Sequence, residues 1–236
     1  KAVQRSRRVS QRLTKGVELL MKKNDIDVYM GTARIPALHT VHVTPGEGDP
    51  IQLTADHIVI ATGAHPMTIP GVAFDGSKIL SYRTAILQES LPASVVIIGS
   101  GAIGVEFATI WNAYGVDVSI VEMLPHLVPN EDPDISQELH KAFRKKRIKI
   151  LTSHRVQEII PGKEGVQVRV QHEGESSTIA ADQALVAIGF TPHTEGLGLQ
   201  DLDVERSQRG GIVVDERMAA NQPGIWAVGD VTDRLM

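Results

Sequence analysis

The sequence predicts an α/β fold organised around a parallel sheet, on three observations. Apolar strand-like runs near residues 95–98, 117–122 and 184–188 alternate with helical patterns, and that alternation implies parallel neighbours joined by crossovers. The first run leads into Gly99-Ser100-Gly101-Ala102-Ile103-Gly104 and then a helix. The next run ends in an acid, Glu122. Strand, glycine turn, helix, strand and terminal acid form the frame of a Rossmann-like dinucleotide-binding unit.

Composition narrows the field. A chain of 236 residues can bury a core without disulfides or a structural metal. With no cysteine, these residues hold no disulfide, thiolate ligand or cysteine nucleophile. A net charge of −4 argues against a dedicated nucleic-acid binder. No apolar run approaches the roughly 20 residues of a spanning helix, and no signal peptide pattern is present. The expected location is the cytoplasm, the chemistry calls for no metal, and no membrane or nucleic-acid partner is expected.

Along the chain, Val9, Leu13, Val17 and Leu20 recur at helical spacing, and Arg5, Arg8, Arg12 and Lys15 supply a basic face. This predicts an amphipathic helix over 1–24 with a solvated charged side, an anion-binding helix remaining the alternative. Short strands follow at 27–30, 37–43, 51–54 and 57–60, separated by turn chemistry such as Pro45-Gly46-Glu47-Gly48-Asp49. The stretch holding Pro66, Pro70, Gly71 and Gly76 reads as a connecting loop. A new unit begins near Leu91-Pro92. Its first helix should bury Ile103, Phe107, Ile110, Trp111 and Tyr114 and stop at Gly115. A second helix, capped by Asp132 with Pro133 at its first position, should bury Ile135, Leu139, Ala142 and Phe143. A strand at 148–151 and β-rich sequence at 166–170 and 184–188 complete the unit.

Each glycine of the turn has a steric task. The first permits the sharp exit from the strand, the second lets a pyrophosphate approach the backbone, and the third lets the helix pack on the sheet. Negative charge is then favoured at the helix N-terminus. Glu122 is placed to accept hydrogen bonds from ribose hydroxyls, and residues 123–132 contain no Lys or Arg to receive a 2′-phosphate. The reading favours NAD over NADP. Ser100 is not in a Gly-x-Ser-x-Gly context, so a hydrolase nucleophile is rejected. His39 and His42 fall three apart in an expected strand, on opposite faces, and the other histidines are scattered without ligand spacing, most of them expected to be exposed.

Two further signatures flank this unit: Ile58-Val59-Ile60-Ala61-Thr62-Gly63-Ala64 before it, and Gly224-Ile225-Trp226-Ala227-Val228-Gly229-Asp230 after it. Each is an apolar strand ending in small residues and then a polar group. In this order, with Gly101-Ala102-Ile103-Gly104-Val105-Glu106 between them, the sequence resembles the flavoprotein pyridine nucleotide–disulfide oxidoreductases. Further matching details are Lys15-Gly16-Val17, Gly31-Thr32-Ala33-Arg34-Ile35 and Ala187-Ile188-Gly189. The resemblance covers essentially the whole chain and is strongest to the branch that oxidises dihydrolipoyl groups.

The resemblance implies a Rossmann-like NAD-binding domain, a parallel sheet plus β-meander, inserted in an incomplete FAD-binding domain of the same type. The boundaries expected are 1–90 for the first FAD part, 91–200 for the NAD domain and 201–236 for the return. NAD contacts are implied for Gly99, Ser100, Gly101, Ala102, Ile103, Gly104, Val105, Glu106, Glu122, Val156 and Gly189. FAD contacts are implied for Ala33, Thr62, Gly63, Ala64, Asp230 and Met236. Glu106 also matches a carboxylate that pairs with a lysine near the flavin, a supporting catalytic role. The family's first flavin-binding turn, its Cys-x-x-x-x-Cys pair and its His–Glu pair are not among these residues, and Gly189-Phe190-Thr191-Pro192-His193 replaces the commoner Gly-Arg-Arg-Pro-Asn. The 236 residues therefore read as the central portion of a longer enzyme, inactive alone, with weak NAD binding and little FAD binding. Full length implies a homodimer that oxidises the lipoyl domain of a 2-oxo-acid dehydrogenase complex and reduces NAD+. Two alternatives stay open: a mercuric, glutathione-type or NADH-oxidising relative, and a non-catalytic NAD-binding module.

Overall fold

The structure, a computed structural model, describes residues 2–234. In chain order its elements are α1 (Ala2–Lys23), β1 (Thr32–Ala37), β2 (Thr40–Thr44), β3 (Ile51–Thr54), β4 (Ile58–Ile60), β5 (Ala64–Pro66), β6 (Ile79–Leu80), α2 (Tyr82–Ala85), β7 (Ser94–Ile98), α3 (Ala102–Ala113), β8 (Asp117–Val121), α4 (Pro133–Lys145), β9 (Lys149–Leu151), β10 (Arg155–Gly162), β11 (Gly165–His172), β12 (Glu175–Ala181), β13 (Gln183–Val186), β14 (Phe190–Pro192) and β15 (Ile225–Ala227). They form two compact units. One is Pro66–Gly189; the other joins the residues up to His65 to those from Phe190 onward. These breaks differ from the expected 90/91 and 200/201. The reason lies in packing: β6 belongs to the sheet of the inserted unit, and Leu197 and Leu199 lie in the core of the other.

The inserted unit is built on a five-stranded sheet in the order β6-β13-β7-β8-β9, with every neighbouring pair parallel. Residues alternate between its faces, as strand geometry requires. Val95, Ile97, Val118, Ile120 and Leu185 pack with Ala108, Trp111 and Phe143 of the helices. Val96, Ile98, Val121, Ala184 and Val186 pack with Ile159, Val166, Val168 and Val170 of the antiparallel meander β10-β11-β12. Both faces of the parallel sheet are thus covered, which is why its strands read as unbroken apolar runs.

The helices differ in detail from expectation. Asp132 caps α4 by accepting from Asp134 N at 2.9 Å, with Pro133 in the first turn, as expected. On α4, however, Ile135 and Ala142 are exposed while Ser136 and Phe143 are buried; Ser136 Oγ donates to Leu127 O at 2.7 Å. On α3 the buried residues are Gly104, Ala108 and Trp111, whereas Ile110 and Tyr114 are 50% and 58% exposed. Gly104 and Ala108 let the helix approach the sheet closely, while Trp111 is buried and Phe107 packs against the same core, as expected.

The stretch expected to be a connecting loop contains β6 and α2. Asp75 organises its entry: its Oδ1 accepts from Ile79 N, Ser77 N and Lys78 N at 2.7–2.9 Å, holding the chain where Ile79 and Leu80 pair with β13. Burial pushes this carboxyl up, but the backbone donors outweigh it and hold it below the usual carboxylate range.

The other unit carries an antiparallel meander β1-β2-β3 and a parallel pair β4-β15. Ile58, Ile60, Ile225 and Ala227 face a core shared with Ile35, Leu199, Val204, Ile212 and Val231. Val59, on the opposite face, is 60% exposed. α1 forms as expected and buries no residue. Residues 27–30 form no strand, and His39 is not in one either; it sits in the β1–β2 turn at φ 62°. Strand alternation therefore does not separate His39 from His42.

Candidate nucleotide site

The glycine turn lies at the carboxyl end of β7. From there the chain runs through α3 to β8 on one side, while β13 flanks β7 on the other. Such a reversal of strand order opens the crevice in which doubly wound sheets bind ligands. Gly99 has φ 97°, and a Cβ there would stand 2.4 Å from Ala187 O. A Cβ at Gly104 would clash harder still, against Gly99 O. Packing alone requires these two glycines. Gly101 is different: a Cβ there would meet no atom within 4 Å. Its small size answers to no packing need of the protein.

Gly101 is also the N-cap of α3, and no side chain caps this helix end or places an acid in its first turn. By helix geometry the N–H groups of Ala102, Ile103 and Gly104 have no intrahelical acceptor. The turn therefore presents donors and the positive end of the helix dipole beside open space. Val105 is half-buried beneath, and Glu106 is exposed on the helix.

Glu122 is only 7% exposed, yet its carboxylate is well served. Oε2 accepts from Ser100 N and Ser100 Oγ, both at 2.8 Å, and Oε1 accepts from Leu124 N at 2.8 Å. The acid is thus bonded directly to the glycine turn, and fully buried Ser100 has a structural task of its own. Both carboxylate oxygens keep acceptor capacity for further donors.

The sheet brings a second segment to this acid. Glu122 N donates to Leu151 O at 2.8 Å, Ser153 N to Leu124 O at 3.0 Å and His154 N to Glu122 O at 2.9 Å. Residues 151–155, including His154 and Arg155, thus run beside Glu122. Searching only residues 123–132 for basic groups missed them; the pairing of β8 with β9 was the signal available. Val156 follows in β10, half-buried against the meander core and paired with Val170. Gly189 lies past β13 at φ 121°, and its carbonyl accepts from Met67 N at 2.9 Å.

In the other unit, Thr62 Oγ1 donates to His193 O at 2.6 Å and His193 N to Gly63 O at 2.9 Å, fixing the turn after β4. Gly63 has φ 68° with open space at its Cβ position, and Ala64 is buried. Asp230, in the short 3-10 turn after β15, is exposed, as is Ala33 in β1. Met236 lies outside the described residues. The histidines are not uniformly exposed: His154 and His172 are half-buried and stacked, and His65 meets His193 edge-on.

These features give the chain the α/β frame of a doubly wound sheet with a glycine turn at its switch point. The sequence model of the pyridine nucleotide-disulphide oxidoreductases matches residues 1–236, and the chain belongs to that family. It is 40% identical to a dihydrolipoyl dehydrogenase of Mycobacterium leprae over 99% of this chain and 50% of that one. To a dihydrolipoyl dehydrogenase of Corynebacterium glutamicum it is 38% identical over the same shares. Among solved structures it is similar to LpdA of Mycobacterium tuberculosis, at TM-score 0.90 and 27% identity, covering 99% of this chain and 51% of that one. It is also similar to the Cu(II) complex of the HOCl-induced flavoprotein disulfide reductase RclA of Escherichia coli, at TM-score 0.82 and 30% identity, covering 97% and 53%. The chain spans about half the length of the curated relatives it matches. No described helix is long and apolar enough to cross a membrane.

Proposed function

We propose that the inserted unit binds NAD and serves a dihydrolipoyl dehydrogenase. The observation that carries this reading is Gly101, a glycine that internal packing does not require at the mouth of an uncapped helix. There the free N–H groups of α3 would hold the pyrophosphate, Glu122 would accept from the adenosine ribose hydroxyls, and Val156 and Gly189 would complete the nucleotide contacts. Glu122 also repels a 2′-phosphate. When bound, the nicotinamide supplies a hydride acceptor. Ala33, Thr62, Gly63, Ala64 and Asp230 fit an FAD site: the open space at Gly63 admits close approach, and exposed Asp230 can accept from a polyol hydroxyl. In this reading the whole protein is a homodimer that takes electrons from the lipoyl domain of a 2-oxo-acid dehydrogenase complex. A second reading, a different flavoprotein disulfide reductase, draws on the similarity to RclA.

Titrating the protein with NADH under fluorescence tests the nucleotide reading. Gly101→Ala should weaken binding by about tenfold or more with only a small loss of stability, because its methyl meets no protein atom within 4 Å. Unchanged affinity in that variant overturns the reading. Dihydrolipoamide-dependent NAD+ reduction by the full-length enzyme separates the two flavoprotein readings.

A further inference from the structure

His154 and His172 take no part in the proposed nucleotide contacts. Their rings stack with centroids 4.3 Å apart and planes 4° from parallel. His154 Nδ1 lies 2.6 Å from Thr152 O, and His172 Nδ1 lies 2.8 Å from Ser153 O. A carbonyl oxygen can only accept, so each Nδ1 carries a proton and each Nε2 remains the basic atom. Two carbonyls of one short segment thereby fix both tautomers. The same segment is hydrogen-bonded to Glu122 and Leu124, which ties the stack to the acid that would read the ribose.

The charged neighbours are few and mixed. Glu122 stands at the end of β8, Arg155 adjoins His154 in β10, and Glu175 pairs with His172 across β11 and β12, with Glu173 in the turn between. Residues 123–132 supply no Lys or Arg. In the segment whose backbone is bonded to Glu122 and Leu124, Arg155 carries a permanent positive charge and His154 a conditional one; His172 stacks on His154, and half-buried His126 is a further titratable group in the loop after Glu122.

We propose that the His154–His172 stack makes the choice between NAD and NADP proton-dependent, a proposal that rests on the nucleotide reading of Gly101 and Glu122. With both rings neutral, Glu122 dominates and a 2′-phosphate is repelled. Protonation at Nε2 adds positive charge to the same patch, which offsets Glu122 and favours the phosphorylated nucleotide. Linkage demands the converse: bound 2′-phosphate favours the protonated rings, whereas the free hydroxyl of NADH leaves them nearly indifferent.

The test is a pair of titrations, NADH and NADPH, with the same protein between pH 8 and pH 5.5. The ratio of Kd for NADPH to Kd for NADH should fall by about fivefold or more as the pH drops. In the double variant His154→Gln, His172→Gln the fall should shrink to what the 2′-phosphate's own titration contributes. An equal pH dependence in wild type and variant overturns the proposal. As a readout independent of folding defects, histidine NMR titration should show NADPH, and not NADH, raising the midpoints of both rings; equal midpoints with the two nucleotides also overturn it. If NADH shows no saturable binding at any pH, the nucleotide reading falls and takes this proposal with it. If NADH binds and the ratio stays flat, only the proposal falls.

Discussion

The two units hold their site residues in different ways. In Pro66–Gly189 the turn is over-determined: backbone carbonyls stand where the Cβ of Gly99 or Gly104 would be, and Glu122 is buried with three donors. Its sheet is covered on both faces. In the other unit the corresponding residues sit on a two-stranded parallel pair with one face in a core and Val59 exposed on the other. Thr62 and Asp230 are at the surface. Pre-organisation lowers the cost of ordering a site when ligand binds. The inserted unit already has it, whereas the residues proposed for FAD rest on a thinner frame.

This contrast can be broken by substitution. The largest effect belongs to Gly104→Ala, whose methyl must displace the Gly99 carbonyl; it should cost about 3 kcal/mol or more, measured as a fall in the denaturant midpoint. Glu122→Ala comes next. It leaves Ser100 N without an acceptor in a buried place and Leu124 N without one in a partly buried place, so about 2 kcal/mol should be lost together with NADH affinity. The smallest is Thr62→Val in the other unit, which removes one exposed hydrogen bond to His193 O and should cost about 0.5–1 kcal/mol. A loss for Thr62→Val as large as that for Glu122→Ala would erase the distinction between the two frames.

Much of the inserted unit was legible because its signals are local. A glycine turn between an apolar run and a helix, or Asp132-Pro133 before α4, declares itself within a few residues. What was illegible depends on distant partners. β6 is two residues long and exists only because Ala184 and Leu185 pair with it. Residues 27–30 have strand-like composition but no partner strand, and Met30 is 80% exposed. The face of α3 was legible at Trp111, which is buried, and at Phe107, which packs against the same core, but not at Ile110 and Tyr114, which are exposed because Gly104 and Ala108 make the close approach to the sheet. In the site, Glu122 could be read from its place at a strand end. The stacked histidines could not, because their contact at the open end of the β10–β11 hairpin depends on its register, which shifts between Val156 and Glu158.

The hydrogen bond from Met67 N to Gly189 O carries a consequence for how the chain assembles. It ties together the two ends of the inserted unit, next to β5 and β14, which also pair. The strands β4 and β15 lie on opposite sides of that insertion in sequence. Pairing them in an unfolded chain closes a long loop, at an entropy that grows with the logarithm of its length. Once the insertion has folded, its two ends are already neighbours, and the loop left to close is short. A folded insertion thus acts as a clasp for the discontinuous unit, turning a distant pairing into a nearly local one.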